Sequence, residues 1–274
     1  MSGGIVTGYD GSPGSEQSLR WAVREARERG ITLTACLTWL PDLLAPQDET
    51  MARRRGEELL TNGLRYATTL LGASRVHPVM VRGSAARALC DLSQEAELVV
   101  VGARGHGELP GLLLGSVSWQ VAGYAHCPVV VVRGPWRPAN RPPGPVVAGV
   151  DVAADAPAAL AFAFTEAALR DVPLVAVCAQ ADAIGVIGGA CRLEEEFEHL
   201  MDVNEKEHPE VSVTRHVVPG GPRTALLTAA ACAQLLVVGA RGRGGVTGMR
   251  LGSVAQGVLQ YAPCPVGVVH GTGG

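Results

Sequence analysis

The sequence predicts an α/β protein built from two tandem Rossmann-like domains, and three observations lead there. Motifs recur at a fixed spacing, strand-like and helix-like segments alternate through both halves, and several strand-like runs are apolar at every position. At 274 residues the chain is long for one domain and comfortable for two.

The recurrence is the strongest of these. Leu98-Val-Val-Val-Gly-Ala-Arg-Gly105 returns as Leu235-Leu-Val-Val-Gly-Ala-Arg-Gly242, Leu114-Gly-Ser-Val117 as Leu251-Gly-Ser-Val254, and Cys127-Pro-Val129 as Cys264-Pro-Val266, all offset by 137 residues. Near the start of each half the offset is 141: Gly8-Tyr-Asp10 matches Gly149-Val-Asp151, and Leu19, Ala22 and Ala26 match Leu160, Ala163 and Ala167. A middle region four residues shorter in the second half accounts for the difference. Separate motifs that hold one offset mark a duplicated domain. The boundary falls in Arg133 to Pro145, where five prolines deny helix and sheet and favour an extended linker. The expected organisation is a first domain at 1–134, a linker at 135–145 and a second domain at 146–274.

The elements of the first half follow in order. Ile5 to Tyr9 reads as a buried strand. Ser15 to Arg29 reads as a helix, with Leu19, Ala22, Val23 and Ala26 on one face, Ser12 as N-cap and Pro13 opening it. A strand at Leu33 to Leu37 precedes a long helix from about Asp48 to Leu71. Val76 to Val81 is the third strand, followed by a helix near Ala85 to Glu95 with Ala85, Ala88, Leu89 and Leu92 facing inward. Leu98 to Val101 is the fourth strand, a glycine-rich loop follows, a helix opens at Ser116, and Val129 to Val132 is the fifth strand. The second half repeats this with strands near 146–150, 174–178, 211–218, 235–238 and 266–269. Strands alternating with helices imply a parallel sheet covered on both faces, and unbroken Val-rich runs suit strands buried on both sides. In such sheets ligands sit beyond the carboxyl ends of the strands.

Composition narrows the function classes. A net charge of −3 points to neither a nucleic-acid nor a membrane-surface partner. Lys206 is the only lysine, so a lysine-dependent P-loop cannot exist in either glycine-rich region. Seven cysteines occur without a C-x-x-C pair and read as buried thiols in a reducing compartment. The amino terminus has no basic, apolar signal pattern and no run reaches membrane-spanning length, so the expectation is a cytoplasmic protein. No His/Cys cluster has metal spacing, and no metal-ligating residues are assigned.

The chemistry sits in the loop after the fourth strand. Gly102-Ala-Arg-Gly105 is followed nine residues later by Gly115-Ser116, and Gly239-Ala-Arg-Gly242 nine residues later by Gly252-Ser253. Glycine allows close backbone approach to an anion and positive φ, and a helix opening at Gly-Ser aims unpaired N–H groups and its dipole at the same point. The Ser116 and Ser253 hydroxyls either donate to a phosphate oxygen or cap the helix. Arg104 and Arg241 add positive charge or point to solvent. Asp10 and Asp151, at the ends of the first strands, either cap the following helix or accept hydrogen bonds from a ligand. His106 lies in the loop but Arg243 takes its place in the repeat, which argues against a required catalytic histidine.

The pattern G-x2-G-x9-G-S after a Val-rich strand, with Asp at the end of strand one and Cys-Pro-Val before the last strand, resembles the universal stress protein family in its ATP-binding branch. The resemblance covers nearly the whole chain. It implies adenine nucleotide alpha hydrolase-like domains, each a five-stranded parallel sheet of order 3-2-1-4-5 flanked by helices. It also implies ATP with Mg2+ as ligand, one nucleotide per domain. By analogy Asp10 and Thr38 would lie near adenine and ribose, Gly102 and Gly105 near ribose and phosphates, and Gly115, Ser116, Val117 and Ser118 on the phosphates. The second domain matches with Asp151, Gly239, Gly242, Gly252, Ser253 and Val254. It has Ala179 opposite Thr38, Ala255 opposite Ser118 and Ala153 opposite Ser12, and these lost hydroxyls imply weaker binding there. Trp39 is either a wall of the adenine pocket or an interface residue.

No carboxylate pair, Walker lysine or His/Asp pair recurs in the repeat, so binding without fast turnover is expected, with no catalytic residues assigned. Three readings remain: a nucleotide-dependent regulator in stress response, a slow ATPase or phosphotransferase using the same cradle, and an interaction protein with empty sites. Single-domain relatives pair through their last strands, so an intrachain pseudo-dimer through Val129 to Val132 and Val266 to Val269 is expected. A homodimer of the whole chain and an unidentified protein partner are left open.

Overall fold

The computed structural model describes residues 3–40, 49–105, 113–133, 144–152, 155–180, 189–242 and 250–271; for 189–192 it describes the backbone only. The chain divides into two compact units, Met1–Arg133 and Gly134–Gly274. Most of the proline-rich linker at 135–145 lies outside the described residues, as do Asp48, His106, Ala153 and Arg243.

In the first unit the strands are β1 (Ile5–Gly8), β2 (Leu33–Trp39), β3 (Val76–Arg82), β4 (Leu98–Gly102) and β5 (Val129–Val132). They form a parallel sheet in the order β3-β2-β1-β4-β5, as expected. The register sets Ile5 beside both Leu33 and Leu98, so the carboxyl ends of β1, β2 and β4 finish side by side. The order reverses at β1, which places the split between β1 and β4 where ligands of such sheets bind. Every side chain of Val99 to Val101 and Val129 to Val131 is buried, because helices cover both faces.

The helix α1 (Pro13–Arg29) forms where the periodicity predicts, with Leu19, Ala22, Val23 and Ala26 buried on one face. Ser12 Oγ accepts from Ser15 N at 3.2 Å, and the helix stops at Gly30, whose φ of 70° is the left-handed C-terminal conformation. Helix α4 (Ala85–Leu92) buries Ala86, Ala88 and Leu89, while Ala85 and Leu92 are only half-buried. Helix α5 (Ser116–Tyr124) leads into β5.

One expectation needs correction. The long helix about 48–71 is two helices, α2 (Glu49–Gly63) and α3 (Arg65–Leu71), parted at Leu64. Gly63 lies against the Tyr9 ring, where any Cβ would collide with the ring atoms. The glycine that fits this contact also weakens the helix at that point.

The second unit repeats the plan with β6 (Val146–Gly149), β7 (Leu174–Gln180), β8 (Val213–Pro219), β9 (Leu235–Gly239) and β10 (Val266–Val269), in the order β8-β7-β6-β9-β10. Its helices are α6 (Ala156–Arg170), α7 (Gly189–Glu207), α8 (Pro222–Ala229) and α9 (Ser253–Tyr261). Arg215 on β8 fastens α7 through Glu198, Asp202 and Glu205, and these three carboxylates hold its guanidinium firmly protonated against the cost of burial. Both first helices carry a buried ion pair one turn from their ends, Glu25 with Arg29 and Glu166 with Arg170, which hydrophobic periodicity does not show.

Candidate functional site

A cavity of about 240 Å³ opens at the carboxyl ends of β1, β2 and β4. Among its lining residues are Asp10, Thr38, Gly102, Arg104, Gly105, Ser116, Val117 and Ser118. The structure therefore gathers in one place eight of the residues singled out in the first half, from four separate elements. Ser12 lines it too, and Ser15, Cys36, Ala85 and Leu89 complete parts of the wall without having been assigned to it from sequence. A larger groove of about 480 Å³ lies on α8 and α9 of the second unit and draws on none of these motifs.

The loop geometry follows from a few backbone hydrogen bonds. Ala103 N donates to Val132 O at 2.8 Å, which holds the loop start against β5. Gly115 N donates to Ala103 O at 2.8 Å, which folds the incoming helix back onto the end of β4. The second unit repeats both, Ala240 N to Val269 O at 2.7 Å and Gly252 N to Ala240 O at 2.8 Å. Thus the repeated G-x2-G-x9-G-S spacing encodes one frame in both units.

Of the two uses of glycine expected here, the motif shows close approach and no positive φ. Among the described residues the positive-φ glycines are Gly11, Gly30, Gly72, Gly83 and Gly220, none of them in the motif. A Cβ on Gly102 would stand 2.5 Å from the Gly14 carbonyl oxygen, and one on Gly105 would stand 2.6 Å from Asp10 Oδ2. The same contact recurs where a Cβ on Gly242 would meet Asp151 Oδ2.

Both helices open at the Gly-Ser step, as expected, and of the two roles left open for the serines capping is not the one used. The N-caps of α5 and α9 are Gly115 and Gly252, and Ser116 and Ser253 are the first helical residues, not caps. Neither helix has a side-chain cap hydrogen bond, so the first-turn N–H groups keep their capacity for an anion. Ser118 is buried and its hydroxyl donates to Gly102 O at 2.6 Å, stitching α5 to the end of β4. Val117 and Val254 are half-buried in the first turns.

Asp10 is exposed at the mouth, and its Oδ1 accepts from Ser12 N at 2.9 Å. It braces the turn before α1, while Ser12 does the capping. Its second oxygen faces Gly105 and the cavity. Tyr9, just before it, donates to Glu16 Oε1 at 2.5 Å. Burial first, and this carboxylate second, raise its phenol well above the ordinary tyrosine range. Burial likewise pushes the Cys36 thiol up to about 11, so it lines the cavity as a neutral group. Trp39 does not join the lining set; it lies under the Arg82 guanidinium, 6.0 Å from its ring centre, at the end of β2.

In the second unit Asp151, Ala179, Gly239, Arg241, Gly242, Gly252, Ser253 and Val254 occupy the corresponding positions at the ends of β6, β7 and β9 and the start of α9. One residue that the sequence reading passed over stands among them. Asp155 is 2% exposed, its Oδ2 accepts from Arg241 N at 2.9 Å, and Arg241 Nε lies 3.6 Å away. The offset of 141 residues sets it opposite Gly14. That alignment was the signal available for it. Among the described residues no group of three or more His, Cys, Asp or Glu could hold a metal ion, and no helix is long and apolar enough to cross a membrane.

Two five-stranded parallel sheets flanked by helices, each with a glycine loop folded against a helix start beyond the strand ends, define tandem domains of the adenine nucleotide alpha hydrolase-like class. The chain belongs to the universal stress protein family, whose model matches residues 1–133 and 144–270. It is 37% identical over 281 residues to universal stress protein Rv2623 of Mycobacterium tuberculosis, covering 96% of this chain and 95% of that one. It is 36% identical over 285 residues to universal stress protein Rv2005c of the same organism, with the same coverage. A universal stress protein of Archaeoglobus fulgidus has the same fold, with a TM-score of 0.73 at 20% identity over 98% of this chain and 99% of that one.

Proposed function

We propose that the first domain binds ATP as its Mg2+ complex and that the chain acts as a nucleotide-dependent regulator in stress response, with little or no hydrolysis. The observation that carries this reading is the uncapped start of α5 facing the glycine loop, inside one cavity with Asp10 and Thr38. Each part suits a different part of the ligand. The first-turn N–H groups of α5 donate to phosphate oxygens, the close-packed Gly102 and Gly105 let the backbone approach them, and Arg104 adds charge at the rim. Asp10 and Thr38, on neighbouring strand ends, offer an acceptor and a hydroxyl to ribose or base. When bound, Mg2+ would neutralise the phosphate oxygens.

Binding is favoured over turnover by the make-up of the wall. Among the described lining residues Asp10 is the one carboxylate, and Ser12 N already engages one of its oxygens. Cys36 stays protonated at neutral pH and offers no nucleophile. The role in stress response rests on family membership. The cytoplasm, where ATP is plentiful, is the compartment this reading requires.

Mass spectrometry of the small molecules released by denaturing freshly purified protein tests the reading. Released ATP is the expected result. Mostly ADP would instead make the protein a slow hydrolase, and no nucleotide, with none taken up on addition of Mg-ATP, would contradict the reading.

A further inference from the structure

The second domain keeps the glycine frame but carries a buried carboxylate where the first has no side chain. Gly14 sits in the first turn of α1 with its backbone packed on Gly102, and a Cβ there would strike the Arg104 carbonyl oxygen. The close packing leaves no room for a side chain. In the second domain α6 begins at Ala156, two residues later in the repeat than α1 at Pro13, with Asp155 as the residue before it. The helix start is drawn back accordingly: among the described residues, the nearest atom to a Cβ on Gly239 is Asp155 Cβ at 3.1 Å. Asp155 does not cap its own helix. Its carboxylate reaches across to the loop after β9 and takes the Arg241 N–H at 2.9 Å, with the Arg241 guanidinium at 3.6 Å.

Three consequences follow for an anion brought to that loop. One backbone donor between the two motif glycines is already used. The motif's own cation is partly neutralised by an internal partner. A fixed negative charge, 2% exposed and so weakly screened, stands against the loop. The neighbouring departures act in the same direction, since Ala179 and Ala255 supply no hydroxyl where Thr38 and Ser118 do.

We propose that Asp155 is a specificity-determining residue that closes the second domain to polyphosphate nucleotides, so that the chain binds one ATP and not two. The inference rests on the nucleotide reading of the first domain. It replaces the equal occupancy that the repeated glycines alone imply. The second domain then serves as a fixed copy of the fold, and occupancy of the first is the only nucleotide signal in the chain.

Isothermal titration of nucleotide-stripped full-length protein with Mg-ATP tests this, with thermal melting of each variant alongside. Wild type is expected to titrate at one nucleotide per chain. Asp155→Asn, which keeps the side-chain shape and removes the charge, should gain a second site at least about tenfold tighter than any residual wild-type one. Asp155→Gly should raise the stoichiometry to two. Should Asp155→Gly fail to fold, Asp155→Asn decides. Gly102→Val removes the first site, and in the Asp155→Asn background one site must remain. Two wild-type sites of comparable affinity would overturn the proposal while leaving the nucleotide reading intact. So would one site in both Asp155 variants melting like wild type, the outcome a merely structural Asp155 predicts. No binding by any variant would defeat the nucleotide reading and this proposal with it.

Discussion

The first domain backs its loop with Gly14 and fills its cavity wall with hydroxyls from Ser12, Ser15, Thr38, Ser116 and Ser118. The second keeps the hydrogen bonds that shape the loop but places Asp155 behind it and alanine at the positions of Thr38 and Ser118. The shared part is backbone: Gly115 on Ala103 and Gly252 on Ala240, both at 2.8 Å. The divergent part is side chain. A repeat unit therefore keeps its loop through shared backbone hydrogen bonds, while the chemistry at the same spot drifts with single residues. Counting motif glycines measures the frame and says little about what the frame holds.

The largest effect that sharpens this contrast comes from Gly102→Val. Its Cβ would stand 2.5 Å from the Gly14 carbonyl oxygen, backbone against backbone, so the loop must move. We expect ATP affinity to fall about a hundredfold or more, and stability to fall by ~1–3 kcal/mol in urea unfolding. Gly239→Val, whose nearest neighbour among the described residues is Asp155 Cβ at 3.1 Å, should cost less stability and leave total ATP binding unchanged. Equal losses of binding in the two variants would show that both loops hold nucleotide.

Gly105→Ala comes next. The added Cβ meets Asp10 Oδ2 at 2.6 Å, and a side-chain carboxylate can rotate away. A loss of roughly tenfold in ATP affinity, with stability changed by less than ~1 kcal/mol, is expected from titration and thermal melting. Ser118→Ala, which installs the second domain's residue, removes the 2.6 Å bond to Gly102 O. That costs ~1 kcal/mol and weakens ATP by roughly fivefold through a looser loop. Smallest is Cys36→Val, again the residue the repeat carries. Because burial holds the thiol neutral with its pKa pushed up to about 11, nothing ionic is lost, and ATP affinity should stay within about twofold.

Much of the fold was legible because its signals are local or repeated. Leu19, Ala22, Val23 and Ala26 declare their helix by spacing, and Val129 to Val132 declare a strand by unbroken branching. The break at Leu64 was not legible, since the ring that requires glycine at position 63 belongs to Tyr9, more than fifty residues away in sequence. In the loop after the fourth strand, glycine spacing left two reasons for the glycines open, close approach and positive φ, and the structure shows close neighbours and no positive φ. Whether a glycine serves a positive φ or a close neighbour depends on Gly14 and Asp10, which spacing within the motif cannot reveal. Cys36 and Leu89 were unreadable as wall residues because apolar side chains at strand ends and in a helix look like ordinary core. Asp155 was the costliest omission, for a lone aspartate before a helix reads as a cap until its carboxylate is seen on another loop.

The central claim is that nucleotide sits at the carboxyl ends of β1, β2 and β4. Photolabelling with 8-azido-ATP, digestion and mapping of the modified peptides tests it most directly. The account predicts label in peptides spanning 8–15, 33–40 or 102–118, suppressed by excess Mg-ATP. Label confined to the α8 and α9 groove around Arg223 and Tyr261, or no label that Mg-ATP suppresses, would contradict it.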